Sequence, residues 1–461
     1  MSIKKLISFI ILILIIILMV FGIFYLLKNR TPKDGLPKEE QTNEFPSSGS
    51  SGNNGFTQEN NRGDANIILL PGQILDGEGG VVEKRDIKLR QISTEPTAGF
   101  SIDQKEITIE RETEVLSEDS EEIEYSVEEV EIQEYLTYFI QKKDGHIILD
   151  SDNESDQKKI SNTTIPQTYL GYVSKDFSIL QYLDGSKEVI RSFAGIFKDE
   201  KKIEKTENEE GEIIENEVIE KVFEGLLLPN DLKSLVLSPD KSTLAFIIET
   251  ITGSDIVTMK SDDFTDVKIL YKSQLTDTSI QWGNNNTIYI TSKPDSRAPG
   301  FVKEVDARTG ESATILSGIF GLTTKPSYDN KYHIVTGVRS IEEGSSPLFI
   351  FNKTNNSYID TKIYSLPEKC VWSSVNTELV YCLGQRLAAS GELPQDWYQG
   401  KTNFADLLFK INVETSEIEN VSSSYAVDII FDGIKPQLSP DEKRLIFIDK
   451  NDDTPWILTL D

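Results

Sequence analysis

The sequence predicts an all-β chain: a seven-bladed β-propeller of four-stranded blades, preceded by one N-terminal transmembrane helix and a disordered tether. Three observations predict it. The phrase LSPDKSTLAFI at 237–247 returns almost unchanged as LSPDEKRLIFI at 438–448, 201 residues later. Worn copies stand between and before these two, and three successive steps measure 44, 45 and 46 residues. The segments are rich in β-branched and aromatic residues, are bounded by polar turns, and carry no 3.6-residue stripe that would mark helices.

Residues 1–30 come first. From Leu6 to Leu27 the chain is apolar, interrupted only by Ser8 and Gly22. At 1.5 Å per residue this run spans roughly 33 Å, the hydrocarbon thickness of a bilayer. The short apolar region and small-residue cleavage site of a signal peptide are both missing, so the run reads as an uncleaved signal anchor. Lys4 and Lys5 before it nearly balance Lys28, Arg30 and Lys33 after it. The very short leading tail and the large C-terminal portion favour a single-pass protein of the cell membrane, its C-terminal domain extracytoplasmic. Residues 31–66 are rich in Pro, Ser, Gly, Asn and Glu, without apolar periodicity. Such a segment cannot offset its ordering entropy and reads as a flexible linker, about 30–35 Å end to end.

Residues 67–461 form the expected propeller. The copies of the phrase are FSIDQKEITI from Phe100, VSKDFSILQY from Val173, the one at Leu237, QWGNNNTIYI from Gln281, PSYDNKYHIV from Pro326, WSSVNTELVY from Trp372, and the one at Leu438. Each is read as strand, polar turn, strand. Pro presets φ and Asp can bond the turn backbone, so the phrase is architecture and not an active site. A third strand and a fourth short one follow most copies, which is the content of a propeller blade. The last repeat reaches Asp461 with three strands, and RDIKLRQIS, Arg85 to Ser93, is expected to supply the fourth and close the ring.

The SPD-type turns resemble those of TolB-like and WD-type propellers over roughly 370 residues. The Gly-His and Trp-Asp pairs of WD repeats are absent, which favours the TolB-like branch. PEKCVWSSVNTELVYC followed by PQDWYQG looks like a set of uncharacterised membrane-anchored bacterial propeller proteins. That resemblance implies a fold and no known activity.

Three segments depart from the plain repeat. Residues 110–134 hold twelve acids and one base, and 198–224 eleven acids and five bases. Both read as solvated charged extensions, or alternatively as electrostatic arms for a basic partner. In the first, the strand choice is open, because YLTYFIQ from Tyr135 competes as second strand. The sixth repeat carries a surplus near 386–406 that places Asp396, Trp397, Tyr398 and Gln399 in a polar loop. Aromatics there are either a partner-binding contact or a plug between blades. Cys370 and Cys382 flank a hairpin turn centred on Asn376, at a spacing a disulfide accepts; reduced buried thiols are the alternative.

Composition limits the function. There are 76 acidic and 47 basic residues, a formal charge of −29, which opposes nucleic-acid binding. DSDNESD at 150–156 begins like a calcium loop but has Ser155 and Ser161 where Gly and Glu belong. No nucleophile-elbow, zinc or phosphate-loop motif occurs, so no catalytic residue, metal or cofactor is expected. The expectation is a binding or scaffolding module with a protein or glycan partner at the cell envelope. The competing class is a surface glycan hydrolase or lyase with paired carboxylates in the propeller funnel.

Overall fold

The computed structural model describes residues 73–75, 81–83 and 89–460, apart from 117–122, 155, 208–212, 341–343, 390 and 422–429. The apolar run Leu6–Leu27 and the tether 31–66 lie outside the described residues. No helix among the described residues is long and apolar enough to cross a membrane. The chain divides into two units, Met1–Lys84 and Arg85–Asp461. In the first, Gln73–Leu75 and Val81–Glu83 pair antiparallel.

The second unit is an all-β propeller. Its first blade holds Thr97–Leu116, Ile123–Gln141, Ile147–Ser151 and Lys158–Lys159; its second holds Thr168–Val173, Phe177–Asp184, Val189–Glu207 and Ile213–Leu227. The third blade holds Lys233–Leu237, Thr243–Thr250, Gly253–Lys260 and Lys268–Ser273. A later blade, which carries the cysteines, holds Cys370–Trp372, Leu379–Gly384, Leu407–Asn412 and Glu417–Asn420. The closing blade joins Gly433–Leu438, Arg444–Asp449 and Thr454–Thr459 to Leu89–Gln91, brought from the other end of the unit. Leu89 stands opposite Leu458 and Gln91 opposite Trp456. Arg90 also reaches the first blade, where its guanidinium lies 2.9 Å from Asp150. Thr97–Leu116 neighbours Thr168–Val173, Lys233–Leu237 neighbours Thr278–Asn284, Cys370–Trp372 neighbours Gly433–Leu438, and Gly433–Leu438 meets Thr97–Leu116. Between the second and third blades Tyr172 donates its hydroxyl to Leu235 O at 2.7 Å.

The expectation of seven separate blades is corrected here. Among the described residues of this unit, five sheets are four-stranded and one is eight-stranded. The larger sheet runs from Thr278–Asn284 to Ser357–Asp360, and the reason is one continuous strand, Ser312–Pro326. Its first part pairs with Pro299–Asp306 and its last part with Tyr332–Ser340. The pairing changes over at Phe320, between Gly318 at φ 81° and Gly321 at φ 62°. Glycine takes these left-handed angles without steric cost, so the strand bends without ending.

The opening phrase of the first blade is also corrected. FSIDQ is not a turn: Phe100 to Gln104 continue one strand paired with Tyr135 to Phe139. YLTYFIQ is the second strand's core, and the acidic stretch lengthens this hairpin.

Three of the remaining copies, at Leu237, Pro326 and Leu438, show why the phrase recurs. Ser238 Oγ donates to Asp240 Oδ1 at 2.6 Å and accepts from Thr243 N at 2.9 Å, while Asp240 Oδ1 accepts from Ser242 N at 3.0 Å. Ser439 and Asp441 repeat this with Lys443 and Arg444, and Ser327 and Asp329 repeat it with Lys331 and Tyr332. In each case the residue after Asp has positive φ: Lys241 61°, Asn330 59°, Glu442 58°. Ser and Asp together satisfy the donors that such a tight turn leaves open.

The core lies between blades. Phe100 and Phe139 of the first blade pack with Ile446 and Ile448 of the closing blade. Trp372 is buried and stacks on Tyr332 of the eight-stranded sheet, ring centres 6.2 Å apart. Each such side chain contributes about 1.5–3 kcal/mol through burial.

Candidate functional site

In an antiparallel blade, the turn from first to second strand and the turn from third to fourth lie at the same end. At that end the first three blades enclose a groove of about 710 Å³. Phe177, Ile196 and Phe197 line it together with Asp103, Asp176, Asp240, Asp262 and Asp266. Lys175, Lys241 and Lys260 also line it, so the lining carries a formal excess of negative charge. Asp240 is committed to its turn. Burial raises its pKa, but the Ser238 and Ser242 hydrogen bonds together outweigh this and hold it below the usual value.

The two acidic hairpins leave the ring from this same end. Paired register in the first continues from Asp103–Leu136 out to Leu116–Ile123, and in the second from Ile196–Glu224 out to Glu207–Ile213. Acidic residues meet at paired positions in both, Glu110 with Glu129 and Glu200 with Glu220.

The aromatic loop does not present Trp397 to a partner, which corrects that part of the expected contact. Gln395–Tyr398 is one short helical turn, and Trp397 is 4% exposed, packed with Leu366, Leu393 and Phe404. Asp396 holds the loop from inside: its Oδ2 accepts from Glu392 N at 2.8 Å, and Lys401 Nζ lies 3.3 Å from its Oδ1. Gln399 N donates to Gln395 O at 2.9 Å. Tyr398 is 48% exposed and donates its hydroxyl to Glu368 Oε2 at 2.7 Å.

Below the loop lies a charged group that sequence reasoning missed. Lys369 Nζ is 2.8 Å from Asp406 Oδ2 and in contact with Asp432 Oδ1, and all three side chains are 0% exposed. Trp397 Nε1 donates to Asp432 Oδ2 at 2.7 Å, and Lys450 Nζ lies 3.6 Å from that oxygen. Gly433 N donates to Asp406 Oδ2 at 2.6 Å, whereas Asp406 Oδ1 has no hydrogen-bond partner. Burial pushes the Asp406 carboxyl up to about 6 against the opposing pull of Lys369. This pair of carboxylates is sealed, so it offers a glycan no approach. The only sequence signal was a charged residue inside apolar surroundings, in PEKCVW, NFADLL and IIFDGI.

Cys370 and Cys382 are directly opposed and disulfide-bonded, with Cα atoms 4.0 Å apart. DSDNESD serves its own blade: Asp150 binds Arg90 and Gln157, and Asp152 accepts from Tyr135 N at 2.9 Å. Among the described residues, no three His, Cys, Asp or Glu side chains are grouped to hold a metal ion.

No protein-family model matches the chain. No curated protein matches it either. Among solved structures it is similar to TolB from Acinetobacter baumannii, at 9% identity over 77% of this chain and 80% of that one, TM-score 0.37. It is similar to the β-propeller domain of the Trilobed protease from Pyrococcus furiosus, at 10% identity over 71% and 91%, TM-score 0.40. A puromycin-hydrolyzing peptidase of Mycobacterium tuberculosis is 9% identical over 68% of this chain, TM-score 0.35; this chain covers 48% of its length. At such identities and scores these likenesses say nothing of what the chain binds or does. Strand order and closure through Leu89–Gln91 make it a propeller.

Proposed function

We propose that this protein is a binding or scaffolding module with a basic protein partner, held at the cell membrane by Leu6–Leu27 with its propeller outside. In this reading the eight-stranded sheet is two blades merged through Ser312–Pro326, which restores a ring of seven. The observation that carries the binding role is the open groove of about 710 Å³, lined with excess carboxylate and set where both acidic hairpins leave the ring. A chain of net charge −29 steers cationic partners toward it. Asp406 and Asp432, being sealed, cannot serve as the carboxylate pair of a glycan hydrolase or lyase.

The test is pull-down from the native membrane with wild type and with an Asp176→Lys, Asp262→Lys variant. The variant should lose the captured basic protein by about tenfold or more, and added salt should weaken the wild-type complex. Equal, salt-insensitive capture by both chains refutes the groove reading. Protease added to intact cells should release a soluble fragment starting in 31–66. A domain that stays protected while the envelope admits the protease overturns the outside placement.

A further inference from the structure

The buried Lys369, Asp406 and Asp432 have the layout of a self-condensing site, which a salt bridge alone does not require. Forming an amide between an amine and a carboxyl needs three things: the two groups in contact away from water, a base that moves the amine's protons, and a donor for the oxygen that gains charge. Each is present. Lys369 Nζ touches the Asp432 carboxyl, with both side chains 0% exposed. The same Nζ is 2.8 Å from Asp406 Oδ2, and the rings of Phe404 and Trp397 stand 5.0 and 5.5 Å from it. Trp397 Nε1 points its hydrogen at Asp432 Oδ2, the atom on which negative charge would collect.

We propose that Lys369 and Asp432 form an intramolecular isopeptide bond, with Asp406 as the catalytic proton carrier and Trp397 as the oxyanion donor. The chemistry balances without a co-reactant. The Lys369 ammonium passes one proton to Asp432 Oδ1, and its freed lone pair attacks Cγ, forming the N–C bond. Nζ then gives a second proton to Asp406 Oδ2. Asp406 returns it to Oδ1, the Cγ–Oδ1 bond breaks, and one water leaves as the carbonyl re-forms at Oδ2. Nothing is oxidised or reduced. The pocket suits the product too. Asp406 ends the cycle ionised and without its principal counter-charge, and its burial then favours uptake of one proton from solvent to leave a neutral carboxyl. The unpartnered Asp406 Oδ1 marks a carboxyl with capacity the static ion pair leaves unused. The bond would tie the residue before Cys370 to the residue before the closing blade, beside the disulfide.

The experiment is intact-mass measurement of the full chain, purified folded, then denatured and reduced. The expected mass is lower than the sequence mass by one water, and digestion yields a branched peptide joining Lys369 to Asp432. A chain of full sequence mass after prolonged incubation in the folded state overturns the proposal. So does loss of water confined to Asp432–Gly433 as a cyclic imide, which leaves Lys369 in a linear peptide. Lys369→Arg should never lose the water. Asp406→Asn, checked as folded by its disulfide and circular dichroism, should form the bond about 100-fold more slowly or not at all. Cross-linking of that variant at the wild-type rate overturns the role of Asp406.

Discussion

Trp397 shows how one side chain's role depends on where the fold puts it. Its ring fills the space between Leu366, Leu393 and Phe404, and its N–H binds Asp432. Trp397→Ala should therefore cost about 3–5 kcal/mol in urea unfolding; a variant as stable as wild type would restore the loop as a contact surface. His333 gives a pH prediction. It is buried, with Nδ1 3.3 Å from Thr324 Oγ1, Nε2 unpartnered, and Tyr289 edge-on at 4.6 Å. Burial, with a smaller push from Lys353, lowers its pKa from 6.5 to about 3. The unfolded chain then binds a proton that the folded chain refuses. The linkage therefore leaves stability untouched above pH about 6.5 and removes it as pH falls toward 3, on the order of 5 kcal/mol in all. His333→Gln should flatten the decline of the urea midpoint between pH 6.5 and 4; an unchanged slope would place the acid sensitivity elsewhere.

At the scale of elements, the Ser–x–Asp turns and the closing strand are the parts most exposed to test. Ser439→Ala removes the acceptor for Arg444 N and the donor to Asp441, and should cost about 1 kcal/mol. A similar loss is expected for Ser238→Ala, and no loss at either site would mean that water replaces the hydroxyl. Deleting 85–93 takes away the strand paired with Thr454–Thr459 and the Arg90–Asp150 link. The expected result is a large drop in melting temperature and aggregation through the bared edge. Melting unchanged by the deletion would show that the ring closes another way.

Across the whole molecule, the two long acidic hairpins, from adjacent blades and at one end of the ring, give the propeller a polarity that a plain repeat lacks. One hairpin lengthens a first-to-second turn and the other a third-to-fourth turn, yet the alternation of strand direction brings both to the same end. Cleaving both back to their blades should leave melting nearly unchanged. It should also weaken capture of the proposed basic partner and its salt dependence together; capture that survives intact would leave the groove alone responsible.

The all-β class, the four-strand blade and the repeat period were legible because each is a local pattern: alternation, turn residues and spacing are written in contiguous residues. The Pro-Asp turn was legible too, though its reciprocal Ser was not singled out. What the sequence could not decide was set by neighbours distant along the chain. Ser312–Pro326 runs on through Gly318 and Gly321, where the repeat spacing implied a break, because strands on both sides offer it hydrogen bonds. Phe100 to Gln104 stay extended because Tyr135 to Phe139 lie opposite. Trp397 turns inward because Asp432, 35 residues on, supplies the acceptor for its N–H. Lys369, Asp406 and Asp432 look like ordinary surface charges until the cysteine blade and the closing blade meet; burial and mutual contact, which no local pattern records, give them their chemistry.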